Sequence, residues 1–333
     1  MDWEDRILIM VRLGQHLNSD DRMWNLAKQN ASRENPWFIP EFIERAVQNL
    51  TQHFLQEPLL RDWASRFASP REPERIKTVG LVMAGNIPLV GFHDFLCLFV
   101  SGHRQRIKAS AKDQALIRSI IDWMHGLWPE TRELVMLSDQ LKGCDAYIAS
   151  GSNNTARYFD YYFGKYPHVI RRNRTALALL SGEESGEELA GLADDVHLYF
   201  GLGCRNVTQI CVPANYSFQP LLECFRKYAW LADHGRYRNN YDYQLAILQI
   251  NQLPYMTNGS LILSENAGLF SPIGVLHYRT YLSIPGLEAE WDGNPDLQCI
   301  IGREHLPFGQ SQAPGLRDYA DGIDLPEWLE QLK

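Results

Sequence analysis

Thr78-Val79-Gly80-Leu81-Val82-Met83-Ala84, followed by Gly85-Asn86-Ile87-Pro88, is the stretch from which the architecture is read. It is uncharged, largely aliphatic and closed by glycine, which predicts a strand buried on both faces, as in parallel sheets. Pro88 sits where a helix can start. Phe92, Phe95, Leu96 and Phe99 would be its buried face, and Gly102 its end. Arg106 to Ser110 predicts a second strand running into a polar loop. Asp113 is placed to cap the next helix, whose apolar side is Ala115, Ile117, Ile120, Ile121 and Met124. Glu133 to Leu137 and Ala146 to Ala149 add two short strands. Strand and helix alternate from 78 to about 170, the pattern of a doubly wound α/β sheet.

Upstream, residues 1–70 read as helical. Leu8, Val11, Leu13 and Leu17 recur near helical spacing, Asn35-Pro36 is a stop, and a second helix starts at Glu41. A third runs over Leu59 to Phe67, and Ser69-Pro70-Arg71-Glu72-Pro73 is a hinge. Downstream, Thr175 to Leu180 and Val207 to Val212 are strand-like, with Glu183 to Leu192 an acidic helix or loop between them. Phe218 to His234 reads as one helix, and apolar runs recur at Leu261–Leu263 and Ile273–Leu276. The expected division is 1–175, a helical preface with a nucleotide-binding domain; 176–300, a second α/β domain; and 301–333, a C-terminal tail whose acidic part after Pro314 decorates the surface.

The 333 residues, 45% hydrophobic and 22% charged with net charge −8, exclude several classes. The chain is too acidic to live on phosphate contacts with nucleic acid and too apolar to be disordered. Its most apolar stretch, Val79 to Val100, holds Asn86, His93 and Asp94 and is no membrane span. The acidic opening Met1-Asp2-Trp3-Glu4-Asp5 lacks the basic start of a secretory signal. Six scattered cysteines without a CxxC pair give no metal site and suggest reduced thiols, so a cytoplasmic location is expected.

Four constellations carry possible chemistry. Asn86, just past the first strand, either caps the helix at Pro88 or offers an amide to an oxygen, since ligands of open α/β sheets lie beyond the strands' carboxyl ends. Lys108 and Ser110, at the next strand's end, hold a nucleotide or form a solvated loop. Gly151-Ser152 precedes a helix start able to attract an anion. Cys204, in Gly201-Leu202-Gly203-Cys204-Arg205-Asn206, sits in a glycine-flanked turn beside a cation, the setting of a nucleophilic thiol. Cys97 and Cys211 read as core thiols. Arg171-Arg172-Asn173-Arg174 either meets phosphates or is a solvated loop.

Taken in order, these pieces resemble the aldehyde dehydrogenase superfamily from Val79 to Tyr281. They look most like its short acyl-CoA reductase branch, the LuxC-type fatty acyl reductases. The resemblance implies a Rossmann-like coenzyme domain and an α/β catalytic domain. Asn86 would donate to the oxyanion and Cys204 would be the nucleophile. Lys108 and Ser110 would lie at the coenzyme ribose, Gly151 and Ser152 at its pyrophosphate, and Phe270, in Leu269-Phe270-Ser271-Pro272, near the nicotinamide ribose. It departs in two places. A hydrolytic Glu-Leu-Gly-Gly segment is matched by Leu179-Leu180-Ser181-Gly182, without the glutamate, and Gly268 replaces another glutamate. The implied function is reduction of an acyl thioester, acyl-CoA or another, to an aldehyde with NADPH, and a homo-oligomer is the expected assembly. The competing readings are a cysteine-dependent thioesterase or acyltransferase and a degenerate scaffold of the same fold.

Overall fold

The computed structural model describes residues 1–65 and 76–332. The hinge expected at 69–73 lies outside the described residues. The chain divides into two compact units, Met1–Asn173 with Pro314–Lys333, and Arg174–Ala313.

The first unit opens with α1 (Trp3–Leu17), α2 (Arg22–Glu34), α3 (Pro40–Asn49), a π-helical turn at Leu50–Phe54, and α4 (Glu57–Ala64). Asp2 and Asp5 cap α1 reciprocally, each side chain accepting the other's backbone N–H. The buried face of α1 is Arg6, Met10, Leu13 and Leu17, rotated from the expected one, and Leu8 is 48% exposed. Arg6 is tolerated there because its Nε donates to the Val100 carbonyl at 3.1 Å, closing the end of a neighbouring helix.

Then follow β1 (Thr78–Val82), α5 (Phe92–Ser101), β2 (Arg104–Lys108), α6 (Gln114–Leu127), β3 (Val135–Leu137), β4 (Ala146–Ser150), α7 (Asn153–Phe163) and β5 (His168–Arg171). The strands form one parallel sheet in the order β3-β2-β1-β4-β5. The doubly wound pattern read over 78–170 is therefore present. Helix α5 begins at Phe92 rather than at Pro88, because 88–91 is a turn in which Leu89 has φ +55°.

The second unit contains β6 (Thr175–Leu179), α8 (Gly186–His197), β7 (Val207–Pro213), α9 (Gln219–Cys224), a 3₁₀ segment Phe225–Asp233 and α10 (Gly235–Ile250). These are followed by β8 (Met256–Thr257), β9 (Ile262–Glu265), β10 (Val275–Tyr281), α11 (Ile284–Trp291) and β11 (Leu297–Ile301). Its sheet runs β11-β6-β7-β10-β9-β8, parallel except at the β8 edge. The single helix expected over Phe218 to His234 is thus two pieces.

The C-terminal tail is not surface decoration. It returns to the first unit, where Leu316 and, from α12 (Leu325–Glu330), Leu325 and Leu329 enter the core, while Glu327 and Glu330 stay outside. Its partner explains this. Helix α5 is buried on every side, so apolar cover is needed on the face that the sheet does not fill, and α12 packs against it. His93 on α5 pairs through Nε2 with the Leu316 carbonyl at 3.1 Å, and Trp63 Nε1 donates to the Tyr319 hydroxyl at 3.2 Å.

No described helix is long and apolar enough to cross a membrane.

Candidate active site

In the first unit, parallel register fixes where the nominated residues lie. Val82 pairs with both Lys108 and Ala149, so β1, β2 and β4 end at one edge of the sheet. The chain passes from β1 outward to β2 and β3, then returns to β4 on the other side of β1. The edge between β1 and β4 is therefore the switch point at which such sheets bind ligands. Asn86, Lys108, Ser110, Gly151 and Ser152 are all brought to that edge.

Asn86 is half-buried in the β1–α5 loop and does not cap α5, whose N-cap position is Gly91. The capping alternative is thereby removed. The loop that carries Asn86 is pressed against the β2–α6 loop: a Cβ on Gly85 would lie 2.6 Å from Ser110 Oγ. Three residues after Asn86, the Leu89 N–H donates to Asp113 Oδ2 at 2.7 Å. Asp113 occupies the N-cap position of α6 but makes no capping bond; its buried carboxyl, pushed well above the usual range by desolvation, serves the neighbouring loop instead. Lys108 is exposed. Ser152 caps α7, accepting the Thr155 N–H at 3.3 Å, and the Gly151 N–H donates to the Arg171 carbonyl.

The arginine cluster is not a solvated loop throughout. Arg171, 8% exposed, pairs with Asp94 of α5 at 2.8 Å, and Arg172 pairs with Asp160.

In the second unit, Cys204 is half-buried in a turn that leads into β7. The turn is closed by the Asn206 N–H donating to the Gly203 carbonyl at 3.1 Å. The wholly buried Asn206 side chain accepts the Gly203 N–H at 2.8 Å and donates to the carbonyls of Asp195, Val196 and Leu198 at the end of α8. Before the turn, Tyr199, Phe200 and Gly201 are consecutive left-handed residues, with φ of +55°, +57° and +74°. For the two aromatics that conformation costs about 1–2 kcal/mol each, and burial of both rings holds it in place. Such stored strain is characteristic of functional segments.

Arg205 hydrogen-bonds the Cys299 thiol of β11, and Cys204 and Asp195 act on the same thiol. Burial drives Cys299 up to about 12. Asp195 is itself pushed up to about 6 by burial, although the N–H groups of Gly309 and Ser311 donate to its two oxygens at 2.7 and 2.9 Å. Its carboxylate is thus committed to the backbone. A cleft beside the turn is lined by His197, Phe200, Gly201, Thr208, Tyr237 and Ser271 among others. Burial holds His197 down to about 4, and its Nε2 has no partner among the described residues.

Phe270 lies at the same end of this sheet as Cys204. The Thr208 hydroxyl donates to the Leu269 carbonyl at 2.5 Å, Gln209 donates to the carbonyls of Asn266 and Gly268, and His277 Nδ1 pairs with Gly268. Leu179-Leu180-Ser181-Gly182 lies elsewhere. It follows the carboxyl end of β6, whereas Cys204 precedes the amino end of the parallel β7. The match of that run to the hydrolytic glutamate segment is therefore corrected, since it sits at the opposite end of the sheet from the thiol. Glu184 folds back there onto the Ser181 and Gly182 N–H groups.

Sequence reasoning missed Asn206, Asp195 and the reach of Asp113. Asn206 directly follows Cys204-Arg205 and was open to suspicion as a turn residue; Asp195 carries no local signal.

No family model and no curated protein matches the chain. Solved structures do. Aldehyde dehydrogenase 21 from Physcomitrella patens, in complex with the reaction product succinate, is 11% identical, with 96% of this chain and 81% of that one covered and a TM-score of 0.67. An NAD+ complex of aldehyde dehydrogenase from Bacillus cereus is 11% identical over 89% and 70% of the two chains, TM-score 0.61. A 3,6-anhydro-L-galactose dehydrogenase in complex with NAP is 10% identical over 88% and 72%, TM-score 0.64. The chain has the aldehyde dehydrogenase fold, a Rossmann-like α/β unit and a second α/β unit.

Proposed function

We propose that this protein is an NADPH-dependent reductase that converts an acyl thioester, acyl-CoA foremost, to an aldehyde through a thioester on Cys204. The observation that carries the reading is the turn of Cys204: a half-buried thiol beside an arginine, fixed by the buried Asn206 and reached through strained backbone, in a chain of aldehyde dehydrogenase fold.

The coenzyme fits the first unit on the chemistry of its switch-point edge, where polar and glycine-containing loops meet. Lys108 and Ser110 would hold its ribose and Gly151 and Ser152 its pyrophosphate; for Phe270, in the second unit, a role near the nicotinamide ribose is what the family resemblance implies. When bound, it supplies the hydride that reduces the Cys204 thioester.

The other steps belong to the chain. The Cys204 thiolate attacks the acyl carbonyl. The Cys204 N–H stabilises the oxyanion, and the family resemblance assigns a donation of the same kind to the Asn86 amide. CoA leaves as a thiolate of similar basicity, so this exchange needs little acid–base assistance. After reduction, Cys204 leaves the hemithioacetal carbon as thiolate and the aldehyde departs.

Hydrolysis of the thioester would need a base to activate water. Asp195, the carboxylate of the second unit that shares the surroundings of Cys299, has both oxygens occupied by backbone N–H groups. That supports reduction over acid formation. The test is NADPH consumption with a panel of acyl-CoAs, comparing the protein with Cys204→Ala. Activity lost in the variant is the expected result; undiminished turnover in Cys204→Ala contradicts the reading.

A further inference from the structure

The segment that leaves β5 brackets Ser152. Ahead of Ser152, the Gly151 N–H donates to the Arg171 carbonyl at 3.2 Å. After it, Asn153, the first residue of α7, accepts the Asn173 N–H on Oδ1 at 3.1 Å. Gly151 is also pressed by α7, since a Cβ on it would lie 3.1 Å from both Phe159 Cε2 and Thr155 Cβ. The turn between β4 and α7 is thus held by the exit of β5 and by α7 itself.

Arg171 in turn fixes the exit of β5. Its side chain meets Asp94, in the first turn of α5, at 2.8 Å. Helix α5 follows β1, and β1 and β5 flank β4, so the pair joins the two neighbours of the strand that ends in Gly151-Ser152. All of these residues belong to the first unit. Asp94 is 4% and Arg171 8% exposed, and Arg171 Nε makes no hydrogen bond among the described residues. An ion pair withdrawn from water and incompletely satisfied adds little net stability, and apolar residues of similar size do as well. The pair is poorly explained by the stability of the sheet. It is explained if the placing of the turn matters.

We propose that the Asp94–Arg171 pair is a positioning device for dinucleotide binding: by tying the exit of β5 to α5 it presets the Gly151-Ser152 turn for the coenzyme pyrophosphate. This rests on the reading of Gly151 and Ser152 as the pyrophosphate site, and the test separates the two.

Binding to the whole protein is measured by isothermal titration calorimetry with NADPH and with adenosine 2′-monophosphate, which has no pyrophosphate. Asp94→Leu/Arg171→Met removes both charges and leaves neither buried alone. It should weaken NADPH by about tenfold, the cost of ordering a turn that is no longer preset. Adenosine 2′-monophosphate should stay within about threefold of its affinity for the parent, because it does not use that turn. Arg171→Lys, which keeps a point cation for Asp94, should bind NADPH within about threefold of the parent. Ser152→Asp keeps a helix cap but places a negative charge at the turn, and should weaken NADPH by about 100-fold. If the double variant does not fold, Asp94→Asn/Arg171→Gln takes its place.

Parental NADPH affinity in the uncharged pair, beside a loss in Ser152→Asp, overturns the proposal and leaves the reading of Ser152 standing. Equal weakening of the two ligands also overturns it, as a merely structural role would produce. Parental affinity in Ser152→Asp, or no NADPH bound by the parent, overturns the reading and the proposal with it.

Discussion

The amide of Asn206 holds both the turn that carries Cys204 and the end of the helix before it, accepting from Gly203 N–H at 2.8 Å and donating to Leu198 O at 2.9 Å. With no exposure to water, each of these bonds is exchanged for nothing when the side chain is removed. Asn206→Ala should therefore destabilise the protein by about 3 kcal/mol, read from denaturant unfolding. The alkylation rate of Cys204 at neutral pH should change with it. A variant of unaltered stability would mean that the turn is held by other contacts.

The ion pair Asp94–Arg171 ties α5, just past the Asn86 loop, to the end of β5. Both side chains are nearly excluded from solvent, so removing one leaves an unpaired buried charge. Arg171→Ala should cost about 3–5 kcal/mol. Asp94→Leu/Arg171→Met, which removes both charges, should cost clearly less than that. Additive losses in the double-mutant cycle would show that the two residues act independently.

Gly85 has no room for a side chain, since a Cβ would lie 2.6 Å from Ser110 Oγ and 2.7 Å from Ser110 Cβ. Gly85→Ala should cost about 1–3 kcal/mol as overpacking. Ser110→Gly in the same chain should recover part of that loss. Thermal unfolding of the two variants decides it.

His197 gives a pH dependence whose sign is fixed by burial. Its native value is held down to about 4 from 6.5, so the native state favours the neutral ring. The stabilisation is complete above the unfolded value of 6.5 and is lost as pH falls toward 4. The loss from this one group is about 3 kcal/mol. His197→Gln should flatten that part of the stability profile between these limits, measured by urea unfolding across pH. An unchanged slope would place the proton uptake on another group.

Much of this was legible in the sequence where one physical signal dominated. The uncharged run Thr78–Ala84 had to be buried on both faces, and it became the central strand of its sheet. Asn35-Pro36 ended a helix because proline cannot continue one. The tail escaped notice because its local signal was acidity, whereas its fate was decided by Leu316, Leu325 and Leu329 and by an α5 buried on every side. Asp113 stands at the helix start as expected, but its hydrogen bond was not foreseen for a related reason: the position is local, whereas the partner, Leu89, lies on another loop. The comparison of Leu179–Gly182 with a catalytic segment failed on register, which only the pairing of β6 with β7 shows.

The central claim is that Cys204 carries the acyl group in an NADPH-dependent reduction. The most direct measurement is aldehyde formation and NADPH consumption from a panel of acyl-CoAs, with the parent protein and Cys204→Ala side by side. The account predicts stoichiometric aldehyde and NADP+ from the parent and none from the variant. Turnover that survives Cys204→Ala, or release of free acid without coenzyme consumption in the parent, would contradict it.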